Sequence, residues 1–414
     1  MSIKLTAFPE ISTFAGPRTR LCTALAIATL TAACAVNNPP TKVSAAPATP
    51  AAVAPANPVG PAVAIPPPRL VDSGIAPATG DDNEFANFAQ WKSVSAFIDE
   101  MVAKNGFTRA ELEAVFNKTR YVDSAIQLMK PAPPGKPKNW NAYRARFVEP
   151  VRINAGVKFW NTYADALERA EAQYGVPAEI IVGIIGVESV YGRNTGNFRV
   201  MDAITTLAFD YPNTPTRDAR MAFFRGELES TLLFARESHI DPFSLLGSYA
   251  GAIGWPQFMP GSIRKYAVDF DGDGKIDLRN SPIDAIGSVA HFLQVHGWKT
   301  GEPIVFPAEV ATDTSTENRW QAFIGQGLEA KFSLDELTAA GVIPTAALAG
   351  SASSNMHFGL VDLQNGTAPT EHWLGTDNFF AITKYNRSFF YAMSVVDLGR
   401  AVRATRNGDM QSRK

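Results

Sequence analysis

The chain has 414 residues, of which 46% carry apolar side chains and 19% are charged. This composition is typical of a globular protein with a sizeable core and excludes a disordered chain. The formal net charge of −2, with both signs mixed along the sequence, excludes the basic surface that binds nucleic-acid phosphates, so we expect no nucleic-acid partner.

The N-terminus has the pattern of an export signal. Arg18 and Arg20 precede an apolar stretch at 21–33, which is too short to cross a bilayer as a mature helix. We therefore interpret residues 1–33 as a signal peptide, removed during export to the periplasm.

Of the two cysteines, Cys22 lies within the apolar stretch and Cys34 directly follows it. The residues Leu-Thr-Ala-Ala before Cys34 resemble the bacterial lipoprotein cleavage site, although Thr31 stands where that pattern prefers leucine. Lipidation of Cys34 predicts an anchor in the inner face of the outer membrane. The alternative is ordinary cleavage after small residues, which leaves a soluble periplasmic protein.

Residues 34–80 are rich in proline and alanine and lack an apolar pattern. Such a segment favours an extended form that rises about 3 Å per residue, so it predicts a long tether. A tether of this kind suits a membrane-anchored enzyme that acts on an immobile target.

Residues 81–405 carry mainly helical periodicity and are interpreted as the catalytic region. Apolar residues recur at helical intervals from Phe88 to Val102, and Thr108 begins a capping box. Further helices are predicted over 139–174, 177–191 and 388–405, and short strands over 302–310 and 378–385. Residues 406–414 form a polar tail.

Glu188 is the strongest candidate for chemistry. It ends an otherwise apolar helix, where poor solvation of the carboxyl group should raise its pKa and make it a general acid near neutral pH. Gly183 and Gly186 permit a close approach of a second segment or of substrate. The alternative is a buried glutamate paired with an arginine such as Arg193 or Arg220.

A second candidate is the uncharged run 247–261, Gly-Ser-Tyr-Ala-Gly-Ala-Ile-Gly-Trp-Pro-Gln-Phe-Met-Pro-Gly. Aromatic rings stack on the C–H faces of sugars, while Ser248 and Gln257 can bond to hydroxyl or acetamido groups. The alternative is a glycine-rich turn packed against the core.

Three ordered motifs together resemble one known family. Gly186-Val-Glu188-Ser, the run at 247–254 with Gln257-Phe-Met-Pro260, and Tyr385-Asn386 resemble the membrane-bound lytic murein transglycosylase B family, glycoside hydrolase family 103. The resemblance covers residues 83–403. It implies a mainly α fold: a lysozyme-like catalytic core with additional helices, a small β insertion and an EF-hand-like loop.

The resemblance also implies the reaction and its residues. Glu188 would protonate the glycosidic oxygen after N-acetylmuramic acid (MurNAc) and then take the proton from that sugar's 6-hydroxyl, which closes a 1,6-anhydro ring. The peptidoglycan glycan strand would lie in a cleft in which Phe292 replaces a tyrosine of the family pattern. The residues that would line this cleft are Ser248, Gln257, Tyr143, Tyr385, Asn386 and Tyr391.

Residues 269–277, Asp-Phe-Asp-Gly-Asp-Gly-Lys-Ile-Asp, match a calcium loop. Asp269, Asp271 and Asp273 occupy positions 1, 3 and 5, and Lys275 occupies position 7, which contributes a backbone carbonyl. Asn280 stands at position 12, and the family resemblance suggests Asp284 as the missing ligand in a longer loop. We expect structural Ca²⁺, with a solvated Asp-Gly turn as the alternative.

Two further functions remain open at this stage. A lysozyme-type muramidase would use water in place of the sugar's 6-hydroxyl, and a non-catalytic peptidoglycan-binding protein would retain the fold without turnover. The mass of the product distinguishes a muramidase from a lytic transglycosylase. A Glu188→Gln variant distinguishes an enzyme, which loses turnover, from a binding protein, which has none to lose.

Overall fold

The computed structural model describes residues 87–131, 137–311, 318–345, 348 and 355–412. The predicted signal peptide, Cys34 and the tether at 34–80 lie outside these residues. Within the described part, no helix combines the length and the apolar character needed to cross a membrane. The helices there are α1 (Lys92–Asn105), α2 (Arg109–Lys118), α3 (Asp123–Met129), α4 (Trp140–Arg144), α5 (Pro150–Thr162), α6 (Ala164–Tyr174), α7 (Ala178–Ser189), α8 (Val200–Phe209), α9 (Arg217–Glu237), α10 (Pro260–Tyr266), α11 (Pro282–Val295), α12 (Leu334–Ala339), α13 (Asp377–Tyr385) and α14 (Phe389–Ser412).

The first helices confirm their sequence signals. Helix α1 ends at Gly106, whose φ of 68° is the left-handed conformation that glycine adopts without strain. Thr108 and Glu111 form the predicted capping box at the start of α2, each side chain bonding to the other's backbone N–H.

The helical stretch predicted over 139–174 is divided into α4, α5 and α6. The first break lies at Glu149, which caps α5 through the backbone N–H groups of Val151 and Arg152, with Pro150 as the first helical residue. The second lies at Tyr163, between α5 and α6. A proline preceded by an acceptor side chain favours the start of a helix, so Glu149-Pro150 is the sequence signal for this break.

Helix α7 is buried along its length, with Glu188 as the one residue that is not fully buried. It packs closely against α14. A Cβ added at Gly183 would lie 2.4 Å from the carbonyl oxygen of Val395, and one at Gly399 would lie 2.2 Å from that of Glu179. At Gly183 the segment that approaches closely is therefore helix α14 and not the substrate.

The described strands form two antiparallel sheets. A two-stranded sheet joins β1 to β2, and a four-stranded sheet has the order β4-β3-β6-β5. One face of the larger sheet, including Phe306 and Leu374, packs with Leu337 of α12 in a separate small core. The strands are β1 (Phe198–Arg199), β2 (Leu246–Gly247), β3 (Val305–Val310), β4 (Val342–Pro344), β5 (Gly359–Asn365) and β6 (Ala368–Gly375).

The strand predicted over 302–310 is confirmed as β3, whereas the strand predicted over 378–385 is wrong, because this segment is helix α13. Thr376 caps α13 by accepting a hydrogen bond from the backbone N–H of Asn378 at 3.2 Å. Its residues 378–383 are all buried, so the helix is enclosed on every side and shows no amphipathic period. The β-branched and aromatic residues of this segment favour a strand by composition alone. The final predicted helix is confirmed, and α14 continues through 406–412 of the predicted tail.

Candidate active site

Glu188 is the penultimate residue of α7 and lies where the chain turns away from the helix. Val190 and Tyr191 have φ values of 52° and 55°, and Gly192 follows at 80°. Left-handed backbone at two successive residues other than glycine is uncommon and costs free energy, so packing must hold this turn. The turn leaves the Glu188 side chain at the open end of a buried helix.

Burial of its carboxyl group raises the pKa of Glu188 to about 7, while a hydrogen bond from Tyr391 acts in the opposite direction. The Tyr391 hydroxyl donates to Glu188 Oε1 at 2.6 Å. In the part of the chain that the structure describes, no arginine forms an ion pair with Glu188, and Arg220 donates to the Tyr211 hydroxyl. The ion-pair alternative is therefore not what the structure contains, and Glu188 can carry a proton at neutral pH.

Tyrosine side chains surround this carboxyl group. The ring of Tyr385 stacks on that of Tyr391, with centroids 6.3 Å apart and planes 15° from parallel. Burial, and then the charge of Glu188, raise the pKa values of Tyr385 and Tyr143. These hydroxyls are therefore neutral donors near the carboxylate.

Two of the three hydroxyls are bound within the protein. That of Tyr385 donates to the carbonyl of Pro256, and that of Tyr391 to Glu188. The hydroxyl of Tyr143 is buried without a hydrogen-bond partner among the described residues. A buried hydroxyl without a partner is costly, which suits a donor that is completed by a ligand.

The run 247–261 folds over the site as a series of tight turns. Ile253 pairs with both Gly247 and Phe258, and Ser248 Oγ accepts the backbone N–H of Ala252 at 3.0 Å. Gln257 has a φ of 50° and donates from Nε2 to the carbonyl of Gly254 at 2.8 Å.

Nε2 of Gln257 also donates to the backbone carbonyl of Thr195 at 3.2 Å. Because this nitrogen is occupied, Gln257 can meet a ligand through its carbonyl oxygen. Asn386 is half-buried at the end of α13, directly after Tyr385.

Trp255 connects three parts of the site, a role that the sequence did not indicate. Ser189 Oγ, next to Glu188, donates to the Trp255 carbonyl at 2.8 Å. The backbone N–H of Trp255 donates to Leu278 at 2.9 Å, and its indole N–H donates to the carbonyl of Arg279 at 3.0 Å. The acidic loop at 269–281 is thus bonded to the end of α7 through one residue.

Phe292 lies in an aromatic cluster beside the tyrosines. Its ring stacks on His296 with centroids 4.0 Å apart and meets Tyr385 edge-on at 4.9 Å. Burial lowers the pKa of His296, so its imidazole is neutral there at physiological pH. Phe292 therefore supplies packing for Tyr385 and no hydrogen bond.

The acidic loop brings together three carboxyl groups that could hold a cation. Carboxylate oxygens of Asp269, Asp271 and Asp273 lie within 4.8 Å of one another and are exposed. Asp284, 1% exposed at the start of α11, accepts the backbone N–H groups of Phe270 at 2.8 Å and Asp277 at 2.9 Å. Asp284 therefore holds the backbone of the acidic loop in place through these hydrogen bonds. Lys275 follows the three aspartates in sequence.

Comparison with known proteins agrees with this geometry. Residues 87–400 match the family model described as Transglycosylase SLT domain. Membrane-bound lytic murein transglycosylase B of Escherichia coli (strain K12) is 42% identical over 328 residues, covering 77% of this chain and 85% of that protein.

Two solved structures are also similar. One is the Escherichia coli lytic transglycosylase Slt35 in complex with calcium, at 42% identity and a TM-score of 0.66, covering 77% of this chain and 95% of that one. The other is SltB3 from Pseudomonas aeruginosa in complex with NAG-anhNAM-pentapeptide, at 28% identity and a TM-score of 0.63, covering 75% and 78%. The chain belongs to the lytic murein transglycosylases, lyases with a lysozyme-like fold that cleave the glycan strands of peptidoglycan.

Proposed function

We propose that this lytic transglycosylase uses Glu188 as its single acid and base to cleave the β-1,4 bond between MurNAc and N-acetylglucosamine (GlcNAc). The observation that carries the proposal is the pKa of Glu188, which burial raises to about 7. A carboxyl group with this pKa can donate a proton at neutral pH and take one back.

The first step breaks the bond between C1 of MurNAc and the glycosidic oxygen. Glu188 gives its proton to that oxygen, which leaves as the 4-hydroxyl of GlcNAc, and positive charge develops at C1. The acetamido group of MurNAc can stabilise this charge. Tyr391 supports the step because its hydroxyl, 2.6 Å from Oε1, stabilises the carboxylate that forms.

The second step forms the anhydro ring. The Glu188 carboxylate removes the proton from the 6-hydroxyl of the same MurNAc, and the 6-oxygen bonds to C1. Glu188 is again protonated and no water is consumed. In the described part of the chain, no second carboxylate affects the pKa of Glu188, which favours an internal nucleophile over the usual pair of acids.

The remaining cleft residues would hold the glycan. Ser248 and Asn386 offer polar groups at turns, and Gln257 offers a carbonyl oxygen beside Glu188's helix end. Tyr143 supports this role best, since its buried hydroxyl lacks a partner among the described residues. Tyr385 would contribute mainly by stacking on Tyr391.

We also propose that the acidic loop binds structural Ca²⁺. Three converging carboxylates and the carbonyl of Lys275 are the oxygen ligands that calcium prefers, with Asp284 as a further ligand or the group that orders the loop. Slt35, 42% identical, was solved in complex with calcium. The ion would stabilise the loop and takes no part in the chemical steps.

For location, we propose a periplasmic protein anchored to the outer membrane through lipidated Cys34. The Escherichia coli relative is named membrane-bound, which supports membrane association. Labelling cells with a radioactive fatty acid, with Cys34→Ser as the control, tests the anchor.

The decisive experiment is mass spectrometry of muropeptides released from purified peptidoglycan. We expect products ending in 1,6-anhydro-MurNAc from the unmodified protein, none from Glu188→Gln, and unchanged products from Glu168→Gln, which alters an exposed carboxyl group on α6. Reducing-end products, heavier by one water, would instead identify a muramidase. No product from either protein would identify a wall-binding function.

A further inference from the structure

A pocket of about 280 Å³ lies beside the start of α14, outside the set of residues assigned to the glycan cleft. It is formed where the edge of the larger sheet, the start of α14 and the segment before α4 meet. The residues that line it are Lys138, Gly325, Gly327, Leu328, Asp362, Phe389 and Phe390.

The pocket adjoins the wall of the cleft that holds Glu188. Phe389 and Phe390 directly precede Tyr391, which bonds to Glu188. The centroid of the Phe390 ring lies 5.4 Å from that of Tyr143, whose pKa is raised by burial and then by the charge of Glu188. Phe390 therefore contacts the cleft on one side and the pocket on the other.

The lining combines two opposite charges with apolar surface. Lys138 is exposed and forms no ion pair with any residue that the structure describes. Asp362 is half-buried; it accepts a hydrogen bond from the side-chain amide of Gln364 at 2.9 Å and lies opposite His372 of β6. GlcNAc and the sugar ring of MurNAc are uncharged, so a lysine and an aspartate facing one pocket indicate a different ligand.

The backbone around the pocket also suits an extended chain. β5 is the outer strand of its sheet, and its two ends are tied to neighbouring segments by bonds between Phe358 and Phe332 and between Gly366 and Lys138. Asp362 lies between these ends. A free stretch of edge strand can pair with an extended peptide. A Cβ added at Gly325 would meet no atom within 4 Å, so the facing loop leaves open space.

We propose that this pocket binds the peptide stem that peptidoglycan carries on the lactyl group of MurNAc, with Lys138 meeting a stem carboxylate and Asp362 the ammonium group of a diamino acid. The inference rests on the proposed function, which puts MurNAc against Glu188. Three extended residues span roughly 10 Å, which is enough to pass Phe390 from the cleft. A volume of about 280 Å³ suits one or two residues of a peptide and is small for a further disaccharide.

The test measures binding without turnover, so it does not depend on the chemistry assigned to Glu188. In the full-length Glu188→Gln protein, calorimetry would compare GlcNAc-MurNAc carrying a tripeptide stem with the same disaccharide lacking it. We expect the stem to tighten binding about tenfold, and Lys138→Ala and Asp362→Asn each to remove roughly threefold of that gain while leaving binding of the bare disaccharide unchanged. Lys158→Ala, an exposed lysine on α5, is the matched control and should alter neither Kd.

Three results would overturn the proposal: equal Kd values for the two ligands, an undiminished gain from the stem in both pocket variants, or an equal loss for both ligands. Failure of the proposed function is seen separately, because it appears as the absence of 1,6-anhydro products from the unmodified protein. Lys138→Glu and Asp362→Lys together provide a second check. Reversing both charges should weaken binding of the stem at least as much as either reversal alone, because each new charge repels the stem group that it faces, whereas restored binding would show that Lys138 and Asp362 pair with each other and not with the stem.

Discussion

The hydroxyl of Tyr391 on α14 lies 2.6 Å from Oε1 of Glu188 on α7. This bond opposes the effect of burial, which raises the pKa of Glu188 to about 7. A neutral tyrosine at this position favours the carboxylate, and the carboxylate is the form that exists between the two proton transfers of the proposed reaction.

Replacing Tyr391 with phenylalanine should therefore change both the rate and its pH dependence. Loss of the bond raises the pKa of Glu188 further, because the anion loses its donor. We expect kcat to fall about tenfold, in line with a hydrogen bond to a charged group, and the alkaline limb of the kcat/KM profile to move to higher pH. An alkaline limb that stays in place would contradict this role for Tyr391.

The matched control for this variant is Tyr121→Phe. The Tyr121 hydroxyl also donates to a carboxylate, that of Asp210 at 2.7 Å, but it lies outside the candidate site. Its removal should leave the pH profile of kcat/KM unchanged.

The same pKa predicts how stability depends on pH. Because the folded protein holds the Glu188 proton more tightly than the unfolded chain, this contribution is fully present below about pH 4.5 and is lost as pH rises through about 7. Glu188→Gln removes the titration, so at pH 8 it should raise the free energy of unfolding by up to about 3 kcal/mol. Near pH 4 the two proteins should unfold alike.

Urea denaturation at both pH values measures this difference. Glu168→Gln, on the exposed face of α6, should show no pH-dependent gain. A gain for Glu188→Gln of the same size at pH 4 and pH 8 would mean that packing, rather than ionisation of Glu188, causes it.

Calcium should raise the melting temperature of this protein. At 100 times its Kd a ligand adds about 2.7 kcal/mol of stability, which is on the order of 5 °C or more for a chain of this size. Asp271→Asn removes one of the converging carboxylates and should abolish the rise, whereas Asp335→Asn, on an exposed position of α12, should retain it. An equal rise with magnesium would point to a general charge effect instead of a calcium loop.

Much of the candidate site could be predicted because short-range sequence determines it. The signals are a carboxyl group at the end of an apolar helix, a glycine-rich run and alternating aspartates, each of which lies within a few consecutive residues. Glu188 does lie near the end of a buried helix, and the carboxylates of Asp269, Asp271 and Asp273 do converge. Trp255 was missed because its role depends on contacts with Ser189 and Arg279, which are distant in sequence.

The wrong strand prediction for 378–385 and the unpredicted strand pairing also depend on tertiary contacts. The segment 378–385 is rich in aromatic residues, which favours a strand locally, but Thr376 caps it as helix α13. Residues 378–383 are all buried, and a short buried run has no period that separates a helix from a strand. The pairing of β5 with β6 lies beyond what the sequence signals could indicate, since it depends on which segments share the small core.

The close packing of α7 on α14 gives a final prediction, because these helices carry Glu188 and Tyr391. An added methyl group at Gly183 would lie 2.4 Å from the carbonyl oxygen of Val395, and backbone cannot move aside as a side chain can. Gly183→Ala should therefore cost about 2–3 kcal/mol of unfolding free energy and lower kcat by moving Tyr391 away from Glu188. Gly226→Ala on α9 is the control, because an added Cβ there meets no atom within 4 Å. It should instead stabilise the helix by about 0.5–1 kcal/mol with kcat unchanged. Equal stability changes in the two variants would show that the helices are not held at the separation on which the Tyr391–Glu188 bond depends.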